Sequence, residues 1–288
     1  MAPEKPIKLS IIIPTIGRKK ELQLLLNSIV KASLPFSFEV VIIDQNPAGF
    51  LEELVLSFAG VLPVQHHVVD FKGLSKAKNY GVLHSSGQYV SFPDDDCIVF
   101  KNTYPAAFAV LEKTAAALVF GKCIDDHGKD SVLNFQKKPS FLSPKTMAGG
   151  FVEATVIADR EVLLHFTFDE NMGAGTFFGA EEGFDWLYRI LTESDYTAYY
   201  TPEIHFYHPQ VILSKGDLAS LNRVFQYRCG TAYLCVKHGL HYKFYKRLIM
   251  AQMACYIYFF TNRSNADYYK IEVLALKIGK ICSKKKLF

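Results

Sequence analysis

The feature that most constrains the fold is a regular alternation of short apolar runs with amphipathic segments over residues 1–125. The first run, at 8–13, is rich in β-branched side chains and ends at Pro14, while residues 17–32 place leucines at helical spacing. Further strand patterns lie at 39–43, 64–69, 88–92 and 117–124, and further helical patterns at 50–58, 74–84 and 102–114. Apolar runs without alternation are typical of strands buried on both faces. The pattern therefore predicts an α/β fold with a mostly parallel central sheet covered by helices.

The pattern loosens after residue 126, where a polar stretch begins. The remaining signals are a strand-like run at 151–158, a helical pattern at 181–191 and a strand pattern at 196–200. From Gly216 the sequence becomes mostly helical in pattern. We therefore predict an α/β domain over residues 1–214, with a first half at 1–125 and a second half at 126–214, followed by a helical tail over residues 215–288.

Carboxylates follow two of the predicted strands. Asp44 comes directly after the second strand, and Asp94, Asp95 and Asp96 follow the fourth. Ligands of parallel sheets bind beyond the carboxyl ends of the strands. Carboxylate oxygens suit Mg²⁺ or Mn²⁺, and Asp94 and Asp96 lie on the same side of an extended chain. The sequence thus indicates a divalent-metal site at this edge, against the alternative of a solvated acidic turn.

Two further clusters carry groups that can take part in catalysis. Glu181, Glu182 and Asp185 fall in the first turns of a predicted helix, where acidic side chains either complement the helix dipole or serve as a general base. His205 and His208 follow a predicted strand, and a neutral imidazole there can ligate a metal or bind phosphate. A lone histidine is more often structural, so both interpretations stay open at this point.

Taken in order, these clusters resemble the inverting family 2 glycosyltransferases, which have the GT-A fold. The resemblance covers roughly residues 7–210. Its motifs are the first strand and turn at Ser10 to Thr15, the G-L-S-x-A-R-N-x-G segment at Gly73 to Gly81, the D-x-D strand at 89–97, the loop at 168–175 and the histidine of Tyr207-His208-Pro209. Lys78 stands where the second of these motifs usually has arginine, which keeps the charge and loses the bidentate fork.

The resemblance implies roles for individual residues. Asp44 matches the carboxylate that binds the nucleobase of the donor, and Lys78 lies in the segment near the diphosphate. Asp96 matches the metal ligand, Asp94 lies nearer the ribose, and His208 approaches the metal or the diphosphate. The expected donor-binding set is completed by Pro14, Thr15 and Asp95. The first half of the domain is then expected to bind the nucleotide and the second half the acceptor.

The general base departs from the family pattern. The helix of the family reads E-D-x-D-L-x-x-R, with the first aspartate as the base. Aligning this motif on Asp185 and Arg189 puts Glu182 at the glutamate and Gly183 at the base position. We therefore favour Glu182 as the base, with Asp185 second and Glu181 third.

The resemblance implies a metal-dependent, inverting transfer of a sugar from a nucleotide-diphosphate donor, expected to be UDP-linked. The expected acceptor is a hydroxyl of a glycan or lipid-linked glycan, as in cell-surface polysaccharide synthesis, and the expected cofactor is Mn²⁺ or Mg²⁺. Two alternatives remain open. A nucleotidyltransferase also uses a βα sheet with acidic metal ligands. An inactive, membrane-associated protein that binds sugar nucleotides would account for Gly183 at the base position.

Charge is distributed unevenly along the chain. Residues 1–214 contain 18 Lys and Arg against 25 Asp and Glu, whereas residues 215–288 contain 14 against 3. Aromatic residues lie between the basic ones, and the most apolar run, 248–260, is shorter than the ~20 residues that a spanning helix needs. This composition favours a helix on an anionic membrane surface over a helical subdomain that only packs on the core. No nucleic-acid motif is present, so no nucleic-acid partner is expected.

Cysteine usage and the N-terminus indicate the compartment. The six cysteines form no C-x-x-C pair, which favours reduced thiols. No apolar stretch precedes the first strand, which argues against a cleaved signal peptide. We therefore expect a cytoplasmic protein that can associate peripherally with the cytoplasmic face of the membrane.

Overall fold

The strands of this protein form a single mixed sheet in a computed structural model, which describes residues 6–210 and 217–285. The strands are β1 (Leu9–Thr15), β2 (Phe38–Asp44), β3 (Val64–Val68), β4 (Tyr89–Ser91), β5 (Ile98–Val99), β6 (Leu118–Ile124), β7 (Ser140–Phe141), β8 (Val156–Asp159) and β9 (Ala198–Tyr207). The helices are α1 (Lys19–Ala32), α2 (Glu52–Leu56), α3 (Leu74–Leu83), α4 (Thr103–Thr114), α5 (Arg160–His165), α6 (Glu182–Glu193), α7 (Leu218–Lys237), α8 (His241–Thr261) and α9 (Arg263–Lys285).

The sheet has the strand order β3-β2-β1-β4-β8-β6-β9-β5, with β7 paired to β9. β1 pairs in parallel with β2 and β4, and β2 pairs in parallel with β3. β8 lies between β4 and β6 and is antiparallel to both, while β6 and β9 are parallel. The predicted α/β class is confirmed, with a mostly parallel sheet at its first strands and antiparallel pairs farther along.

Burial explains why the first strands read as continuous apolar runs. Every residue of β1 is buried, as is nearly every residue of β2. Helix α1 covers the sheet with Leu22, Leu25, Leu26 and Ile29, which recur at helical spacing. This packing fixes the carboxyl end of β1 and the short loop that follows it.

Two predicted strands differ markedly in their bounds from the structure, and the short strands β5 and β7 were not predicted. The strand predicted at 151–158 is shorter, because residues Glu153–Thr155 form a 3₁₀ turn in which the hydroxyl of Thr155 donates to the carbonyl of Val152 at 2.8 Å. Conversely, β9 continues past Pro202, where the register between β6 and β9 shifts. Proline is tolerated in a sheet at such irregularities because its missing N–H is not needed there.

Close packing divides the chain into two units that are not contiguous in sequence. The first unit comprises residues 1–72, 77–167 and 186–211 and contains the sheet. The second comprises residues 73–76, 168–185 and 212–288 and contains α7, α8 and α9. The boundary predicted at 214 and the helical start predicted at Gly216 lie outside the described residues.

The second unit is held by apolar contacts and by one buried carboxylate. Met172, Phe178, Cys229, Leu234 and Ala275 form an apolar cluster between the 168–185 segment and helices α7 and α9. Glu272 of α9 is fully buried and forms ion pairs with Arg228 of α7 and Arg247 of α8. The predicted helical tail is therefore confirmed as a packed group of three helices.

Two sequence-based expectations about the chain can be compared with these helices and thiols. Within 6–210 and 217–285, no helix combines the length and the apolarity that crossing a bilayer requires. All six cysteines are free thiols, and Cys97, Cys123, Cys229 and Cys235 are buried.

Candidate active site

The acidic residues after β4 are held at the carboxyl end of β1. Because β1 and β4 are parallel neighbours, their carboxyl ends meet at one edge of the sheet. The hydroxyl of Thr15, the last residue of β1, donates to Asp95 Oδ2 at 2.8 Å. Arg18 Nη1 lies 2.8 Å from Asp95 Oδ1 and 2.5 Å from Asp96 Oδ2. The last residue of β1 therefore supplies a hydroxyl donor to this cluster, and the loop that follows supplies a cation.

Asp94, Asp96 and His208 form a possible metal-binding cluster. One ligand atom from each of these residues lies within 4.8 Å of the other two. His208 directly follows β9, and its backbone N–H donates to the carbonyl of Ile124 at 3.0 Å. Its Nδ1 lies 2.7 Å from the carbonyl oxygen of Pro209, which accepts the Nδ1–H, and Nε2 lies 3.6 Å from Asp94 and 3.5 Å from Asp96. The geometry thus directs Nε2 of His208 toward the two carboxylates.

The protonation of these groups responds to burial and to one another. Burial alone raises the pKa of Asp94, but its interaction with His208 and the charges of Lys78 and Arg18 bring the pKa below its ordinary value. The pKa of His208 is raised, because Asp94 and Asp96 outweigh the effect of burial. The pKa of Asp95 is raised to about 6, since desolvation exceeds the opposing effects of Thr15 and Arg18. The cluster therefore combines an ionised Asp94 with a readily charged imidazole.

Lys78 and Asp44 flank the acidic cluster within the first unit. Lys78 is buried in α3, and its ammonium lies 5.8 Å from the centre of the Phe92 ring. Asp44 ends β2 and is fully buried. Its Oδ1 accepts hydrogen bonds from the backbone and side-chain amides of Asn46, and its Oδ2 lies 3.0 Å from His66 Nε2. Both oxygens of this carboxylate are therefore already engaged, and its role toward a nucleobase stays a prediction.

The candidate base residues belong to the second unit, at the start of α6. Glu182 is the first residue of α6 and is buried. Gly173 lies next to it with φ of +99°, and a Cβ atom on this glycine would come within 3.2 Å of the carboxyl carbon of Glu182. Only glycine adopts this backbone conformation without strain and leaves room for the carboxyl group. The G-A-G loop at 173–175 therefore shapes the surroundings of Glu182.

Asp185 and Glu181 have fixed cationic partners. Asp185 is fully buried, with Lys237 Nζ at 2.8 Å and His238 Nε2 at 2.7 Å. Glu181 accepts a hydrogen bond from Thr231 at 2.9 Å, and Lys243 Nζ lies 3.3 Å from its other oxygen. Glu181 also has φ of +73°, which is rare outside glycine and occurs most often at functional sites. These contacts tie Asp185 and Glu181 to residues of α7, α8 and the turn between them, and their place as the second and third candidate bases stays a prediction.

The structure gathers the predicted site residues into two groups. The first unit brings together Thr15, Lys78, Asp94, Asp95, Asp96 and His208. Glu182 and Asp185 lie in the second unit. Sequence reasoning overlooked Arg18 and His66, although a basic residue three positions after Thr15 in a strand-end loop is a detectable signal.

Comparison with protein families identifies the family to which this chain belongs. The glycosyl transferase family 2 model matches residues 10–171, more than half of the chain. The chain belongs to glycosyl transferase family 2. The matched segment of this family 2 chain includes β1, α3 and the Asp94–Asp96 cluster, and ends within the 168–175 loop that precedes α6. The family predicted from the motifs is thereby confirmed.

Curated relatives of this family 2 chain are transferases that it matches over part of their length. Poly(ribitol-phosphate) beta-N-acetylglucosaminyltransferase TarS of Staphylococcus aureus is 29% identical over 110 residues, which cover 37% of this chain and 19% of TarS. Glycosyltransferase AglE of Haloferax volcanii is 25% identical over 164 residues, which cover 52% of this chain and 54% of AglE. The chain thus spans about a fifth of the first relative and about half of the second.

Solved structures confirm the GT-A fold. S. aureus TarS 1-349 in complex with UDP-GlcNAc has a TM-score of 0.61 and 14% identity, covering 97% of this chain and 92% of that one. The mannosyltransferase PcManGT of Pyrobaculum calidifontis, in complex with GDP-Man and Mn²⁺, has a TM-score of 0.61 and 14% identity, covering 98% and 89%. At this identity the likeness establishes the fold, and the roles of individual residues stay predictions.

The buried ion pair between Lys237 and Asp185 is expected to contribute to the free energy of unfolding. Replacing Lys237 by methionine removes a cation that contacts both Asp185 and Asp169, at 2.8 and 2.6 Å. Breaking a buried pair from one side leaves an uncompensated charge, so we expect the Lys237→Met variant to lose about 3 kcal/mol of unfolding free energy. Trp186, the single tryptophan, is fully buried beside Asp185, so its fluorescence during urea unfolding monitors this region.

The matched control for this prediction is Lys270→Met, which removes an exposed lysine from α9. A surface substitution of this kind changes stability by no more than about 0.5 kcal/mol. Equal midpoints for the two variants would show that Lys237 does not neutralise Asp185.

Proposed function

We propose that this protein is a metal-dependent, inverting glycosyltransferase that moves a sugar from a nucleotide-diphosphate donor to an acceptor hydroxyl. The observation that carries the proposal is the Asp94, Asp96 and His208 cluster at the strand ends of a family 2 chain. Relatives of the same fold with UDP-GlcNAc, and with GDP-Man and Mn²⁺, support a nucleotide-sugar donor. We propose a UDP-linked sugar as the donor of this chain.

The cluster has the chemistry of a site for Mn²⁺ or Mg²⁺. Two carboxylates and an imidazole supply oxygen and nitrogen ligands. Mn²⁺ binds both kinds of ligand, and Mg²⁺ binds the carboxylate oxygens. Asp96 Oδ1 is buried and accepts no hydrogen bond from any residue within 6–210 and 217–285. A buried oxygen without a donor is costly, and a bound cation would satisfy it. Asp94, Asp96 and His208 would therefore hold the metal, and its charge would offset the negative charge of the leaving diphosphate.

The groups around this cluster are proposed to bind and orient the donor. Pro14 and Thr15 shape the turn after β1, and Asp95 is held there by Thr15 and Arg18. Lys78 provides a buried positive charge for the diphosphate in the place of the family's arginine. Asp44 is proposed to lie at the nucleobase, where the amide of Asn46 that it orients is a further hydrogen-bonding group. Fixing the donor in this way reduces the entropic part of the barrier.

Glu182 is proposed as the general base. As the acceptor oxygen attacks the anomeric carbon, its proton passes to the carboxylate of Glu182. The bond from that carbon to the diphosphate breaks in the same step, and the nucleoside diphosphate leaves with the electron pair. One displacement inverts the anomeric configuration without a covalent intermediate. Asp185 is the less suitable base, since it would first have to give up Lys237 and His238.

The acceptor and the location complete the proposal. We propose a glycan or lipid-linked glycan acceptor of the kind used in cell-surface polysaccharide synthesis. An anionic membrane surface is the proposed second partner, through the basic tail. Such a surface would concentrate the enzyme where a lipid-linked acceptor resides.

Donor binding is expected to depend on metal. Thermal unfolding of the wild-type chain should shift to higher temperature with one nucleotide sugar in the presence of Mn²⁺ and remain unshifted with that sugar alone, because a ligand that binds only the folded state stabilises it. The Asp96→Asn variant should lose the metal-dependent shift. Equal shifts with and without metal, or in wild type and variant, would contradict the metal site.

Turnover is expected to depend on Glu182. The Glu182→Gln variant should lose at least about a hundredfold in kcat, the ordinary contribution of a general base, and keep its donor-induced thermal shift. The matched control is Glu193→Gln, which changes an exposed glutamate at the other end of α6 and should leave kcat unchanged. Release of pyrophosphate instead of a nucleoside diphosphate would identify a nucleotidyltransferase, and donor binding without turnover in wild type would identify an inactive binding protein.

A further inference from the structure

Helix α8 exposes a continuous apolar stripe to solvent. Tyr242, Ile249, Met253, Tyr256 and Phe260 are each more than half exposed, with fractions between 53% and 80%. They are separated by seven, four, three and four residues, so they lie along one face of the helix. We call these five side chains the α8 stripe. Exposed apolar side chains in a contiguous row mark an interaction surface far more often than isolated ones do.

The opposite face of α8 packs inside the second unit. Phe244 and Ala251 are buried, and Phe244 joins a small apolar cluster with Ala232 and Cys235 of α7 and Leu276 of α9. The helix is therefore fixed by its inner face, and the α8 stripe does not belong to the core of the unit. The stripe is therefore exposed on a helix that is already packed on its other face.

The charges around the stripe select an anionic partner. Helix α8 contains no acidic residue, and of its three lysine and arginine residues Lys243 pairs with Glu181 and Arg247 with Glu272, while Lys246 faces solvent. Lys246 is exposed four residues after Tyr242, and Lys280 of α9 reaches Tyr245 beside the stripe, with its Nζ 3.1 Å from the phenolic oxygen. Positive charge therefore borders the stripe from both α8 and α9.

The few acidic residues of residues 215–288 do not offset this charge at the surface of the stripe. Glu272 is fully buried between two arginines, Asp217 caps the start of α7 through the backbone N–H of Ser220, and Asp267 lies 3.8 Å from Arg263. All three are thus engaged within the helical unit. Its outer surface therefore presents aromatic and aliphatic side chains together with the exposed ammonium group of Lys246.

We propose that α8 is a membrane-docking helix that lies in the plane of an anionic bilayer, with the α8 stripe in the boundary between headgroups and acyl chains. Tyrosine is suited to this boundary because its ring is apolar and its hydroxyl is polar, and phenylalanine, isoleucine and methionine are suited to its acyl-chain side. Lys246 and Lys280 then meet the lipid phosphates. A second copy of this chain fits less well, because a symmetric contact would bring the same basic groups together.

The α8 stripe is thus the proposed membrane-binding surface of the enzyme, a role that rests on the proposed function. Docking itself needs neither donor nor acceptor. Lipid binding and nucleotide-sugar binding are therefore measured separately, so a failure of one is distinguishable from a failure of the other.

The test is co-sedimentation of the full chain with vesicles of phosphatidylglycerol and phosphatidylcholine, and with vesicles of phosphatidylcholine alone. Wild type should bind the anionic vesicles at least tenfold more tightly than the neutral ones, and the binding should weaken as salt rises. The variant Met253→Ser/Tyr256→Ser/Phe260→Ser should lose at least tenfold in partition to anionic vesicles. Wild-type protein that stays in the supernatant, or a stripe variant that binds as wild type does, would overturn the proposal.

The matched control replaces three equally exposed apolar side chains of the first unit. Leu56, Val61 and Leu83 are 65%, 59% and 67% exposed, and their triple serine variant should bind anionic vesicles as wild type does. Cooperative thermal unfolding of both triple variants, followed by the fluorescence of the buried Trp186, shows whether each remains folded without any donor. Should the stripe variant fail to fold, Lys246→Gln/Lys280→Gln serves in its place and must lower binding to anionic vesicles severalfold; unchanged binding overturns the proposal.

Self-association is the competing occupant of this surface. Sedimentation velocity of wild type and the stripe variant without lipid should give the same species. A wild-type oligomer that the stripe variant converts to a monomer, together with no binding to vesicles, would assign the stripe to an interface between copies and overturn the membrane proposal.

Discussion

Three consecutive carboxylates cannot end a buried strand unless cations and hydrogen-bond donors offset their mutual repulsion. In this protein Arg18, Thr15 and His208 provide that compensation for Asp94, Asp95 and Asp96. The three compensating groups come from the end of β1, from the loop that follows it and from the residue directly after β9. The electrostatic requirement of one short segment therefore determines where two distant parts of the chain must lie. The proposed metal site lies where this arrangement is incomplete, at the buried Asp96 Oδ1, which accepts no hydrogen bond from the described residues although His208 Nε2 lies 3.5 Å away.

The second unit meets a similar requirement with different groups. Its two fully buried carboxylates, Asp185 and Glu272, each contact two cationic side chains. Asp185 ties the start of α6 to the end of α7, and Glu272 ties α9 to α7 and α8. Buried pairs of this kind add little net stability but penalise alternative packings strongly. We infer that they fix the register of the helices around the apolar cluster at Met172 and Phe178.

Much of the first unit could be predicted from the sequence because its signals are local. Continuous apolar runs predicted β1 and β2, and the carboxylates after the second and fourth strands predicted the acidic strand ends, which the structure places at one edge of the sheet. Strands that form only by pairing with segments far away in the sequence could not be predicted from local patterns. β5 has only two residues and exists through its pairing with β9, and β8 is inserted between β4 and β6 although it follows them both in sequence.

The candidate base shows the same limit. The motif placed three acidic residues at the start of α6, and only the contacts from α7 and α8 distinguish them. Asp185 is neutralised by Lys237, which lies 52 positions later in the sequence, a relation that no local pattern encodes. Arg18 was missed for a related reason, since its importance depends on residues that follow a different strand.

Helix α7 makes two close approaches through adjacent residues. A Cβ atom at Gly230 would lie 2.5 Å from the carbonyl oxygen of Ala180, directly before the candidate base segment, and one at Gly279 of α9 would lie 2.7 Å from the Cα of Cys229. One residue of α7 therefore touches the backbone that leads into α6, and its neighbour touches α9. The consequence is evolutionary: drift toward larger side chains is barred at 230 and 279, so across homologues these two glycines should persist where the surrounding helical sequence has diverged.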